Sequence, residues 1–101
     1  MWVLAMFDLP VDTPEMRRRY TQFRKALLKD GFMMLQFSVY GRFCENEAGA
    51  EVHSKRIKRW VPEDGEVRVL QVTDRLFARM DVIRGKRSVP PEEVPPLLLL
   101  M

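Results

Sequence analysis

With one histidine and one cysteine in 101 residues, this chain has few ways to build a reactive centre. Ser38 lies in a strand-like run without the Gly-x-Ser-x-Gly elbow that presents a nucleophile, and His53 is the only imidazole available to it as a base. His53 itself falls on an apolar helical arc, where a histidine is more often packed than catalytic. Cys44 has no second cysteine with which to form a zinc site or a disulfide. No phosphate loop or dinucleotide fingerprint is present. That leaves Asp8, the single carboxylate that ends the apolar run Met1-Trp2-Val3-Leu4-Ala5-Met6-Phe7. At the tip of a buried strand such a group is either the cap of the turn before Pro10 or an oxygen ligand for a hard cation such as Mg²⁺, which polarises a phosphodiester and activates water. One carboxylate makes a poor metal site. A twofold axis near the strand tip would bring a second Asp8, and water and substrate phosphate would complete the set.

The charge distribution extends the same chemistry. Seventeen Lys and Arg against 14 Asp and Glu give a net charge of +3, and the cations gather in two clusters, Arg17 to Lys29 and Lys55 to Arg59. Two basic helical faces supply phosphate contacts and counterion release, the plain alternative being solvated faces. Hydrophobic residues at 47% and charged residues at 31% exclude a disordered chain. No apolar run approaches the roughly 20 residues that cross a bilayer, and the N-terminal run lacks the basic n-region of a signal peptide. With the lone cysteine, these features predict a cytoplasmic protein without a membrane partner.

The elements that must position these residues follow from pattern. Residues 2 to 7 do not alternate, which predicts a central strand covered on both faces. Thr13-Pro14-Glu15 reads as the start of a helix, and Asp30-Gly31 as its end. Between them Met16, Tyr20, Phe23 and Leu27 form an apolar stripe opposite Arg17, Arg18, Arg24, Lys25 and Lys29. Phe32 to Cys44 has no helical period and is long for one strand, so it reads as two strands meeting near Gln36 to Ser38 or as one strand with a bulge. A second helix is predicted from about Glu47 to Trp60, with Ala50, His53, Ile57 and Trp60 inward. Val67 to Val72 reads as a strand, Thr73-Asp74 as the cap of a helical turn through Met80, and Val82-Ile83 as a brief final strand.

The order is α+β, a ferredoxin-like β-α-β-β-α-β sandwich with a short extra C-terminal strand, over residues 1–87. With no spare element to cover the second sheet face, a homodimer is expected. Residues 88–101 form a Pro/Leu-rich tail ending in Leu97 to Met101, expected to dock as a peptide or edge strand, or else to fray.

Phe7-Asp8-Leu9-Pro10, the helix bearing Met16 to Tyr20 and Phe23 to Leu28, Gly31-Phe32, Gln36-Phe37-Ser38-Val39-Tyr40, Leu70 to Thr73 and Phe77 to Met80 together resemble the small CRISPR-associated adaptation protein family, Cas-two. The resemblance covers about residues 2 to 87. It implies a ferredoxin-like homodimer that bridges CRISPR integrase dimers during spacer acquisition and contacts double-stranded DNA through basic surfaces. It also implies Mg²⁺-dependent endonuclease activity on single-stranded RNA or on DNA. Asp8 corresponds to the family's metal-binding aspartate. Tyr40 corresponds to the motif aromatic with Ser38 beside it, so Asp8, Ser38 and Tyr40 are the expected catalytic group. Arg17 and Arg19 match basic helix positions; with Arg18, Arg24 and Lys25 they are the expected nucleic-acid contacts. Where some relatives carry an arginine, this chain has Met34. The resemblance further implies that the Val82-Ile83 strand pairs with the partner protomer, and it suggests that Val94 to Met101 docks on the integrase. Competing readings are a non-catalytic RNA-binding module, which would need Phe37 and Tyr40 exposed, and a toxin-like ribonuclease acting without an integrase.

Overall fold

The computed structural model describes residues 1–94. The chain runs β1 (Trp2–Asp8), α1 (Pro14–Lys29), β2 (Met33–Gln36), β3 (Val39–Phe43), α2 (Glu47–Trp60), β4 (Glu66–Val72), α3 (Asp74–Ala78), β5 (Val82–Arg84) and β6 (Arg87–Val89). Four strands form one sheet in the order β2-β3-β1-β4, with β1 antiparallel to both its neighbours. This is the ferredoxin-like arrangement expected from the element order.

Local chemistry accounts for the boundaries. The Thr13 hydroxyl accepts from the Met16 amide at 3.1 Å, and Pro14 occupies the first turn of α1, where its missing N–H costs nothing. Asp30 closes the helix by donating its amide to the Ala26 carbonyl at 3.0 Å, and Gly31 follows at φ +95°. Asn46 caps α2 through its side chain, 2.8 Å from the Gly49 amide. Phe32 to Cys44 is two strands, and the turn between them is held without an Asn-Gly pair. Ser38 adopts φ +65°, a conformation few side chains accept, and its carbonyl receives the Phe7 amide at 3.0 Å. That bond ties the turn to the end of β1.

Val3, Ala5 and Phe7 point from β1 toward the helices and meet Phe23, Leu27, Ala50 and Ile57, all buried. Phe7 packs edge-on to Phe23 with ring centroids 5.0 Å apart. The alternate row, Trp2, Leu4 and Met6, leaves by the other face. The expectation that no element remains to cover that face needs correction. Phe77 of α3 stacks on Trp2 at 4.0 Å and 6°, and Phe43 meets the same indole edge-on, so that corner is sealed within the chain. Leu4 and Met6 stay half-buried, and Leu70 and Met33 exposed, on the rest of the face.

The short extra strand is present as β5, joined by a further strand, β6, in a separate hairpin. Arg87–Val89 therefore carries regular structure across the boundary expected at residue 88. Residues 95–101, which hold the Leu97 to Met101 run and most of the segment expected to dock on the integrase, lie outside the described residues. Among the described residues no helix is long and apolar enough to cross a membrane.

Because α3 has five residues and one buried side chain, its position depends on Phe77. Phe77→Ala is expected to lower stability by about 3 kcal/mol in urea unfolding. In hydrogen exchange the Asp74–Ala78 amides should lose protection while those of α1 keep it.

Candidate functional site

Asp8 is exposed at the end of β1, directly across the ladder from Glu66 of β4. Residues so paired project from one face, so two carboxylates of a single chain stand together at the sheet end. They line an open cleft of about 270 Å³ with Ser38, Val39 and Arg68. Arg68 reaches Glu66 at 3.5 Å, while the Asp8 carboxylate has no ion-pair or hydrogen-bond partner among the described residues.

The chain on either side of Asp8 is pinned. Leu9 is buried against Gly65, where a Cβ would fall inside the van der Waals shell of Leu9 Cδ2. Gly65 in turn donates its amide to the Pro62 carbonyl at 3.0 Å. Arg17 donates to the Val11 carbonyl at 3.0 Å and holds the loop that leads into α1. These contacts fix the backbone around a carboxylate that no described side chain holds directly.

The structure brings Asp8 and Ser38 to one cleft and sets Tyr40 apart. Tyr40 pairs with Ala5, faces the helices, and is 1% exposed, its hydroxyl accepting from Arg24 Nε at 2.7 Å. With Tyr40 in the core, the exposed pair Phe37 and Tyr40 that an RNA-binding module would need is reduced to Phe37, 89% exposed at the β2–β3 turn.

The basic residues of α1 divide in the same way. Arg18 and Arg19 both reach Glu15, at 2.7 and 3.4 Å, and Arg19 also pairs with Asp64 at 3.0 Å. The Arg18 hydrogen bond and charge hold the Glu15 carboxyl below its ordinary range. Arg24 is committed to Tyr40. Arg17, Arg18 and Lys25 keep their exposure to solvent.

His53 and Cys44 are packed. His53 Nδ1 lies 2.6 Å from Asp30 Oδ2, and burial pushes the Cys44 thiol up against a weaker opposing pull from Arg42.

Glu66 and Arg68 join the site without having been anticipated. The alternation in Glu66–Val72 places both on one face of a strand, but only the register of that strand against β1 puts the face beside Asp8. For Mg²⁺ the donor set fits: the ion takes oxygen ligands, keeps several waters, and is usually held by one or two carboxylates and substrate phosphate. No group of three or more His, Cys, Asp or Glu side chains gathers among the described residues.

The family model for CRISPR associated protein Cas2 matches residues 1–80. A CRISPR-associated endoribonuclease Cas2 from Parvibaculum lavamentivorans is 53% identical over 100 residues, 99% of each chain. A protein of the same description from Flavobacterium psychrophilum is 48% identical over 89 residues, 88% of this chain and 77% of its own. The crystal structure of Streptococcus pyogenes Cas2 matches with a TM-score of 0.64 at 21% identity, over 83% of this chain and all of the other, a likeness of fold alone.

A carboxylate that capped the turn before Pro10 would lose about 1 kcal/mol on truncation. Asp8 has no such bond, so Asp8→Ala should change unfolding free energy by less than about 0.5 kcal/mol in urea titration.

Proposed function

The chain belongs to the CRISPR-associated Cas2 family, and from that premise we propose that it is a homodimeric scaffold of spacer acquisition, bridging integrase dimers and binding duplex DNA. The Asp8 cleft adds a Mg²⁺-dependent endonuclease activity. One observation carries the reading: among the described residues, the sheet face opposite the helices is apolar at Leu4, Met6 and Leu70 and uncovered beyond the Trp2 corner, and Asp8 stands at its rim. A second copy laid on Leu4, Met6 and Leu70 removes that surface from water and brings a second acidic rim toward the first.

Asp8 would hold the metal, with Glu66 or the partner's Asp8 as a further carboxylate. Bound there, Mg²⁺ supplies a polarised phosphodiester and an activated water. The chain's own residues do the rest. Asp8 must be ionised to serve, Arg17 offsets charge on the phosphate oxygens, and the Ser38 carbonyl holds the end of β1 through Phe7. Tyr40 supports the site from the core, packed on Phe7 with ring centroids 5.5 Å apart. The naming of the relatives as endoribonucleases favours RNA as the nuclease substrate.

Two measurements separate scaffold from enzyme. Sedimentation of the full chain should give a dimer that Leu70→Asp dissociates; a monomeric parent protein overturns the scaffold. Asp8→Ala should lower metal-dependent RNA cleavage about 100-fold, the scale of a lost transition-state charge contact. Cleavage that survives in stringently purified Asp8→Ala removes the catalytic assignment. Spacer integration that persists in that variant and fails in Arg17→Ala/Arg18→Ala supports the scaffold alone.

A further inference from the structure

The seam between α1 and α2 holds a cleft of about 450 Å³, lined by Ala26, Lys29 and Asp30 on one side and Arg56, Arg59 and Trp60 on the other. Three cations there face one carboxylate. Both oxygens of that carboxylate are engaged: Asp30 Oδ1 accepts from Arg56 at 2.6 Å, and Oδ2 lies 2.6 Å from His53 Nδ1. Asp30 thus aims Arg56 without neutralising its neighbours. Lys29 and Arg59 have no ion-pair or hydrogen-bond partner among the described residues.

Helix C-termini ordinarily repel anions, and both helices end beside this cleft. On α1 the amides of Asp30, Gly31 and Phe32 occupy the carbonyls of Ala26, Leu28 and Leu27, and on α2 the amide of Val61 occupies that of Ile57. Against that field stand the side chains that line the cleft, Lys29, Arg56 and Arg59 with Asp30, which carry two net positive charges. A phosphate monoester, at close to two negative charges near pH 7, matches that excess better than the single charge of an internal phosphodiester.

Ala26 and Trp60 also border a second bay of about 220 Å³, walled by Phe23 and Pro62 and carrying the Gln22 amide. Trp60 packs its body on the core and leaves one part toward both bays. An aromatic wall and a side-chain amide that both donates and accepts are what a nucleobase requires. The geometry points to a nucleotide site: a terminal phosphate on Lys29, Arg56 and Arg59, and its base beside Trp60 and Gln22. This assignment does not rest on the Asp8 cleft, which opens at the end of the sheet.

The phosphate monoester has two sources, a free mononucleotide or the 5′ end of a strand. Calorimetric titration of the full chain with AMP, adenosine, and an oligonucleotide with and without its 5′ phosphate distinguishes them. Trp60 fluorescence is read in parallel, since Trp2 is 2% exposed beneath Phe77 and out of a ligand's reach. Saturable AMP binding below about 1 mM, absent for adenosine, identifies a free nucleotide. Preference for the phosphorylated over the unphosphorylated oligonucleotide, without AMP binding, identifies a strand end. In either case Lys29→Ala/Arg59→Ala should weaken binding at least about tenfold, and Lys55→Ala/Lys58→Ala, which removes the same charge from residues outside the cleft, less than about twofold. Equal losses in the two double variants, or no saturable binding of either phosphorylated probe, overturn the site.

Discussion

Trp2–Asp8 is hydrogen-bonded on both edges, to β3 from Trp2 to Met6 and to β4 along its whole length. A slip of one residue would exchange Val3, Ala5 and Phe7 for Leu4, Met6 and Asp8 beneath the helices and would bury a carboxylate in the core. A one-residue slip is thereby excluded, and the register the strand adopts sets Asp8 opposite Glu66. The acidic rim is a by-product of the same constraint that fills the core with Phe7.

Elements with local signals were legible in the residues themselves. Thr13-Pro14 and Asp30-Gly31 bound α1, the arc from Ala50 to Trp60 defines α2, and Thr73 caps α3, because in each case the physics lies within a turn or two of chain. What depends on distant pairing was not. Trp2 beneath Phe77 involves residues 75 positions apart, and no pattern in either segment says that they meet. Tyr40 looks the same in the chain whether it faces a ligand or Arg24, and Glu66 gains meaning only from its place opposite Asp8. The β2–β3 turn escaped the usual signature because a serine, held by a bond to Phe7, takes the conformation that glycine or asparagine more often supplies.

The cations of α1 and α2 show how little a charge count says about use. Arg18, Arg19 and Arg24 have protein partners, and truncating them removes packing and pairing together with charge. Lys29 and Arg59 have none among the described residues and stand over a cleft, although neither differs in type from its neighbours. Arg56 is intermediate, fixed through one nitrogen by a carboxylate that is itself held by His53. Side chains are organised here by the acid that orients them, and Asp30 links the end of one helix to the middle of the other.

The close approach of Leu9 to Gly65 joins the residue after Asp8 to the turn before Glu66. One position lacks a side chain so that the other can be buried. Among related chains these two sites should therefore vary as a couple, a larger residue at 65 appearing with a smaller one at 9. Such paired drift would let the family change the shape of its acidic rim while neither carboxylate changes at all.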